Sequence, residues 1–350
     1  MSNEGAPEGP KLVYSTGNAR TDAMLRGAVG IFEAAFPGRI RGYYLFGSHM
    51  DGSAVGISDL DIFVVFKDDF LDEQEAERAR RLWHACSHLS AVQCDLLSFS
   101  ERHLFTEGHF RLKSASILIY GEDVRERMPL LSLDTYLHVY AHAPTACMSQ
   151  VLRRTDTLVY PLHYPDPFGS FYGYEYHDAR MSKNGGRSIK GWVNTVCWIA
   201  TIIVAFQSGR MIGTKAESVR AYRESVGDHW AAFVEAVYTN GKTAWGYQVP
   251  GDPVERALLR DLCQKTLAFE NHSLALYRLY LLQQLRQADE TCVRFAVERL
   301  GMVRYLDAEV TDALHEIVAS GPADLRNATR QTLRHIEPEK EKQARYRPLA

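Results

Sequence analysis

The stretch LFGSHMDGSAVGISDLDIFVVF, residues 45–66, joins a Gly-Ser pair to two aspartates that alternate with aliphatic residues. Successive side chains of a β-strand point to opposite faces of the sheet. If residues 59–66 form a strand, Asp59 and Asp61 lie side by side on one face and the aliphatic residues lie on the other. Two carboxylates at that separation repel each other, so the pattern predicts a partner that offsets their charge.

A divalent cation is the partner that this pair of acids favours. Magnesium prefers oxygen ligands and is usually held by one or two carboxylates together with substrate phosphates. Upstream, Gly47 and Ser48 follow the predicted strand RGYYLF. Glycine lets the backbone approach a ligand closely, and free N–H groups beside a serine hydroxyl attract an anion. The stretch therefore predicts a phosphate site next to a magnesium site.

A third acid, Asp95, lies on the next predicted strand, residues 92–99. If this strand pairs with the second one, its carboxylate reaches the same edge. In a site with two metal ions, one ion activates the attacking oxygen and the other neutralises the leaving group. A third carboxylate then binds the first ion or accepts a proton. Taken singly, a strand DLD or a GS pair is common, and a solvated sheet edge also explains either.

The order of predicted elements divides the chain at about residue 128. Residues 20–128 alternate helices and strands, with a last short helix at 110–118, and predict an α/β domain with a small mixed sheet and flanking helices. Helical patterns dominate afterwards and predict an all-α bundle, in which Gly209 caps a long apolar helix. We expect a flexible lead at 1–19, domains at 20–128 and 129–289, and a helical C-terminal extension and tail at 290–350.

Composition narrows the class of protein. The 350 residues are 46% hydrophobic and 24% charged, with a net charge of -3, which disfavours a nucleic-acid partner. Six cysteines without CxxC spacing indicate buried thiols in a reducing compartment. The N-terminus lacks the apolar core of a signal peptide, and the apolar run at 196–206 is shorter than the roughly 20 residues of a membrane span. These features predict a cytoplasmic protein with no membrane partner.

The spaced GS, DLD and later acid resemble the signature of the nucleotidyltransferase superfamily that includes DNA polymerase beta. Within it the chain looks most like the aminoglycoside (3'')(9) adenylyltransferases. LFGSHMDGSAVGISDLDIFV is similar to their core motif without a gap. WIATIIVAFQSGRMIGTKAESVRAYRESVGDHW is similar to their helix, glycine-basic turn, lysine and following helix. The resemblance runs roughly over residues 20–275 and implies that the α/β domain is a nucleotidyltransferase domain.

The resemblance also implies roles for particular residues and for cofactors. Gly47 and Ser48 hold the triphosphate, Asp59 and Asp61 bind magnesium, and Lys215 reaches the phosphates. ATP is the implied nucleotide donor, with two Mg²⁺ ions. The family's base is a carboxylate on the third strand, where Gln93 and Asp95 share a face, and we assign Asp95 as base and metal ligand. The acidic residues with which the family holds an aminoglycoside do not map clearly onto this chain.

The predicted function is magnesium-dependent transfer of a nucleoside monophosphate, AMP from ATP, to a hydroxyl of a small molecule such as an aminoglycoside antibiotic. Pyrophosphate is the second product, and antibiotic resistance is the biological role that this acceptor indicates. Two alternatives stay open. The same chemistry can act on a natural-product intermediate or a protein side chain, or the chain can be an inactive nucleotide-binding module that regulates a partner. The sequence does not indicate an oligomeric state.

Overall fold

A computed structural model of the chain describes residues 10–89, 94–152, 157–177 and 186–345. The chain divides into two compact units. The first unit comprises Met1–Leu133 together with the short segment Ile212–Ser218, and the second comprises Asp134–Met211 and Val219–Ala350. A segment that is distant in sequence therefore belongs to the first unit.

A mixed sheet forms the centre of the first unit. Its four strands in the described residues are β1 (Ile40–Phe46), β2 (Leu60–Phe66), β3 (Cys94–Ser100) and β4 (Ser116–Gly121). They lie in the order β3-β2-β1-β4. Strand β1 is antiparallel to both β2 and β4, whereas β2 and β3 are parallel and are joined through a helix. The helices of this part of the chain are α1 (Ala19–Ala35), α2 (Glu73–Leu89), α3 (Glu101–Glu107) and α4 (Phe110–Ser114).

Both faces of this sheet are covered. Leu60, Ile62 and Val64 of β2 point into a core that includes residues of α1 and α2. Phe63 and Val65 point to the opposite face and pack in a second core that includes Leu112 of α4. Because β2 is buried on both faces, it is a nearly continuous apolar run, and a polar side chain at its first residues stands out.

Residues 116–118, which were predicted to end a helix, lie in a strand instead, so that prediction was wrong. The helix ends at Ser114, and residues 116–121 form β4, which pairs with the edge of β1. The run SILIYG alternates β-branched residues with others, as strands do, but a run this short does not distinguish a strand from a buried helix.

The second unit is largely helical, as predicted. Its helices after α5 (Leu133–Tyr140) are α6 (Ala143–Ala146), α7 (Lys190–Ser208), α8 (Lys215–Ala221, which begins in the first unit), α9 (Ala231–Ala236), α10 (Pro253–Leu285), α11 (Glu290–Met302), α12 (Ala308–Ser320) and α13 (Ala323–Arg345). Gly209 ends α7 with a φ of +70°, which confirms the predicted cap. The fold class predicted from the sequence is therefore confirmed.

Helix α7 is long and apolar. Among the described residues it is the one helix whose length and composition would suffice to cross a membrane, and 72% of an 18-residue stretch of it is buried in the protein. This burial agrees with the predicted core helix. A cytoplasmic location stays a prediction.

Short strands after residue 128 were not predicted. Strand β5 (Leu158–Tyr160) pairs in parallel with β8 (Val303–Tyr305), and β6 (Tyr176–His177) pairs with β7 (Arg187–Ser188). Strands of two or three residues carry too few positions to show an alternating pattern. Residues 160–177 are rich in aromatic side chains, and the rings of Tyr164 and Tyr172 in this segment stack with centroids 4.5 Å apart.

Candidate active site

Strand β1 ends in a turn that brings the backbone against Asp61. Gly47 opens the 3-10 helix Gly47–His49 with a φ of +70°, a conformation that residues with a side chain rarely adopt. A Cβ atom at this position would also collide with Oδ2 of Asp61. Glycine is therefore the residue that permits this close approach. Ser48 follows it with partial exposure to solvent.

The three predicted acids come together at one end of the sheet. Asp61 is the second residue of β2 and pairs with Phe46 at the end of β1. Asp59 directly precedes β2. Asp95 is the second residue of β3 and stands in register with Asp61. Both Asp59 and Asp95 act electrostatically on Asp61, so the three carboxylates form one charged cluster.

The environment of Asp61 raises its pKa from 3.8 to about 7. Desolvation is the largest cause. Asp61 pairs across the strands with Phe46, whose ring stacks on that of Phe63 with centroids 3.8 Å apart. Asp59 and Asp95 raise the pKa further, while the cations Arg111 and Lys215 lower it. Asp61 keeps partial exposure, so a ligand from solvent reaches a carboxyl group that is poorly hydrated.

Arg111 is a residue of this site that the sequence analysis missed. It lies on α4, with its guanidinium carbon 4.9 Å from the ring centroid of Phe46. Its Nε donates a hydrogen bond of 3.2 Å to the carbonyl oxygen of Gly213. A basic residue in a five-residue helix gives no sequence signal, because its role depends on a segment about a hundred residues later in the chain.

Lys215 stands in the segment Ile212–Ser218 of the first unit. Side-chain capping bonds hold this segment at the start of α8. Glu217 N donates to Thr214 Oγ1 at 3.2 Å, and Gly213 N donates to Glu217 Oε2 at 3.1 Å. Thr214 therefore caps the helix, and the Glu217 carboxylate reaches back to the residue before the cap. Lys215 is the first residue of α8 and acts electrostatically on Asp61.

The chemistry of these side chains fits a magnesium-bound triphosphate. No group of three or more histidine, cysteine, aspartate or glutamate side chains within the described residues is arranged as a complete metal site. Magnesium needs no such group, because one or two carboxylates and the phosphate oxygens of a substrate are its usual ligands. Asp59, Asp61 and Asp95 supply hard oxygen donors, and the bare backbone at Gly47 lies next to them. Gln93, the alternative to Asp95, lies outside the described residues.

Residues 25–124 match the family model described as a nucleotidyltransferase domain. This part of the chain is a nucleotidyltransferase domain. The predictions of the DNA polymerase beta-like superfamily and of a nucleotidyltransferase enzyme are therefore confirmed, and nucleotide transfer is its class of reaction. The matched residues run from α1 to the end of the sheet and contain the Gly47 turn and all three acids.

No curated protein matches the chain. Among solved structures, it is similar to spectinomycin adenyltransferase AAD(9) from Enterococcus faecialis with ATP and spectinomycin, at 13% sequence identity and a TM-score of 0.41. That similarity covers 70% of this chain and 99% of the other.

Proposed function

We propose that this enzyme transfers AMP from Mg-ATP to a hydroxyl group of a small molecule and releases pyrophosphate. The observation that carries the proposal is the register of Asp61 with Asp95, at the end of the sheet where Gly47 lies against the Asp61 carboxylate. Asp59, Asp61 and Asp95 would hold the metal, and Gly47, Ser48 and Lys215 would hold the triphosphate. Bound magnesium supplies neutralisation of the phosphate charge and activation of the attacking oxygen.

The residues of the chain orient the reactants and move one proton. The Asp95 carboxylate accepts the proton of the acceptor hydroxyl, whose oxygen forms a bond to the α-phosphorus. The bond between the α-phosphorus and its bridging oxygen breaks, and pyrophosphate leaves with that oxygen. Lys215 and Arg111 provide positive charge beside the carboxylates. Positioning and charge neutralisation carry most of the catalysis in such transfers.

The acceptor that we propose is an aminoglycoside-type antibiotic, with resistance as the biological role. The support is the similarity of residues 45–64 to the core motif of the aminoglycoside adenylyltransferases. A natural-product intermediate or a protein side chain would need the same three acids and the same glycine turn. Analysis of the reaction products is therefore what distinguishes these acceptors.

The test uses the full chain, Mg²⁺, each of the four ribonucleoside triphosphates and a panel of acceptors that includes streptomycin and spectinomycin. Pyrophosphate release is measured, and the products are weighed by mass spectrometry. We expect acceptor-dependent release with ATP and an AMP adduct of the antibiotic. An AMP adduct of a different acceptor would contradict the resistance role but would support the transfer of AMP.

Asp61→Asn separates catalysis from the alternative of an inactive binding module. Asp68→Asn is the matched control, because Asp68 is exposed just beyond the other end of β2. We expect Asp61→Asn to abolish pyrophosphate release and Asp68→Asn to keep it. Equal release from wild type and Asp61→Asn would contradict the proposed site and favour the inactive module.

A further inference from the structure

Arg111 joins two parts of the first unit that are far apart in sequence. Its guanidinium lies over the ring of Phe46, the last residue of β1, and its Nε–H is bonded to the Gly213 carbonyl. A guanidinium is planar, so stacking on a ring fixes the direction in which Nε donates. The hydrogen bond therefore fixes the position of the backbone at residue 213 relative to the end of β1.

The packing of Gly213 supports the same anchor. A Cβ atom at Gly213 would collide with Cβ of Ala115, directly after α4. The backbone of this segment therefore lies in direct contact with the α4 region, and Arg111 closes the contact with a hydrogen bond. Lys215, two residues after Gly213, is the first residue of α8.

The charge of Arg111 and its position can be tested separately. Arg111 and Lys215 both lower the pKa of Asp61, so the site holds two cations. If Arg111 contributed only its charge, a lysine at position 111 would serve equally well. Lysine carries the same charge on a flexible stem, but it lacks the planar donor that meets a backbone carbonyl in one fixed direction.

We propose that Arg111 is a positioning residue that holds the segment Ile212–Ser218 against α4 and so fixes where Lys215 meets the triphosphate. This inference rests on the proposed function, because it assumes that Lys215 binds phosphate. It assigns Arg111 a role that acts through Lys215 and is separate from the charge of its guanidinium.

A double-mutant cycle of Arg111→Lys with Lys215→Gln tests the proposal. We expect Arg111→Lys to lower kcat/KM for the triphosphate about 10-fold in the wild-type background, mainly through KM, as for coupled neighbours. In the Lys215→Gln background the same change should have an effect of less than about 2-fold, because the group that Arg111 positions is gone. Wild-type activity in Arg111→Lys, or equal effects in both backgrounds, would overturn the proposal.

Arg125→Lys is the control. Arg125 also lies over an aromatic ring, with its guanidinium carbon 5.9 Å from the centroid of Tyr44, and donates to the backbone carbonyl of Ser116. A structural effect of losing such contacts should be the same with and without Lys215, so Arg125→Lys and Lys215→Gln should be additive. Coupling of Lys215 to Arg125 as strong as to Arg111 would overturn the specific role of Arg111.

Hydrogen exchange provides a second measurement that does not depend on activity. We expect the amides of residues 212–218 to exchange faster in Arg111→Lys than in wild type or Arg125→Lys. Unchanged exchange in that segment would overturn the proposal. The experiments also distinguish failure of this proposal from failure of the proposed function. If Lys215→Gln alone leaves kcat/KM for the triphosphate unchanged, Lys215 does not bind phosphate and the proposed function loses that role. If Lys215→Gln and Arg111→Lys are each harmful but additive, only the positioning role of Arg111 fails.

Discussion

Asp61 destabilises the metal-free protein at neutral pH. The folded protein keeps a proton on Asp61 up to a pH of about 7, whereas the ordinary pKa is 3.8, and desolvation is the main cause. Between these values the unfolded chain releases this proton and the folded chain does not, so stability falls as the pH rises through the window. A carboxyl group whose ionised form is unstable without a nearby cation is typical of a functional site.

We therefore expect Asp61→Asn to raise the Tm of the metal-free protein at pH 8, by a few degrees at most for each kcal/mol of stability gained, roughly 2–4 °C in domains of about 150–250 residues. The neutral amide avoids placing a charge at this desolvated position. Thermal unfolding in the presence of a chelator measures the change, and the gain should shrink as the pH falls and disappear below the ordinary pKa of 3.8, where Asp61 is protonated in both the folded and the unfolded chain. A lower Tm at pH 8 would contradict this assignment.

Gly47 offers a second test at the scale of a single residue. Gly47→Ala combines backbone strain at a φ of +70° with a collision against the Asp61 carboxylate. Gly52→Ala is a matched control, because Gly52 has a φ of +74° and no atom of the described residues lies within 4 Å of its Cβ position. Both should lose about 1 kcal/mol of stability from the conformation.

The two glycine variants should differ in activity. We expect Gly47→Ala to lower kcat/KM about 100-fold, as displacements of about 1 Å in an active site do, and Gly52→Ala to change it little. Steady-state pyrophosphate release measures both. Equal activities would show that contact of Gly47 with Asp61 is irrelevant to the reaction.

At the scale of elements, α4 carries Arg111 and is itself capped by a partly buried histidine, His109. Nδ1 of His109 accepts a hydrogen bond of 3.1 Å from Leu112 N and caps the helix. The ring packs against Phe63 and Phe99, and burial lowers the pKa of His109 from 6.5 to about 4. Protonation would remove the acceptor, so the cap requires the neutral ring.

This cap makes stability depend on pH. As the pH falls from 6.5 to about 4, His109 becomes protonated in the unfolded chain but stays neutral in the folded chain. The free energy of unfolding therefore falls by at most about 1.4 kcal/mol per pH unit. His109→Asn keeps a capping oxygen and cannot titrate in this range. We expect Tm to fall less steeply with decreasing pH in His109→Asn than in wild type. The same dependence of Tm on pH in His109→Asn and wild type would contradict the neutral state of His109 in the folded protein.

The parallel pair of β2 and β3 explains how three acids from two strands reach one place. Asp61 and Asp95 are both second residues of their strands and stand in register. The sequence predicts the alternation within each strand, and it also suggests that the strands pair. It does not predict the register, because a shift by one residue would turn Asp95 to the other face.

At the scale of the whole molecule, the parts of the site that lie close together in the sequence were the predictable ones. Gly47, Asp59 and Asp61 stand within one motif, and strand alternation relates their side chains directly. Arg111 was not predictable, because its partners Phe46 and Gly213 are remote in sequence. Strand β4 was not predicted because its six residues are too few for the alternation of β-branched residues to distinguish a strand from a helix. The domain boundaries at 19, 128 and 289 stay predictions.

The division of the chain into units shows a further limit of patterns along the sequence. Ile212–Ser218 belongs to the first unit although its neighbours in the chain belong to the second. The resemblance placed Lys215 near phosphate, but no periodicity indicates that Gly213 contacts Ala115. Only tertiary packing assigns this segment to the sheet-containing unit.

The central claim is that Asp61 and its neighbouring acids hold magnesium against a triphosphate. Calorimetric titration of the full chain with a non-hydrolysable ATP analogue, with and without Mg²⁺, tests it most directly in wild type, Asp61→Asn and Asp68→Asn. We predict that Mg²⁺ strengthens binding at least about 10-fold in wild type and Asp68→Asn and has no effect in Asp61→Asn. The same dependence on Mg²⁺ in Asp61→Asn as in wild type would contradict the claim.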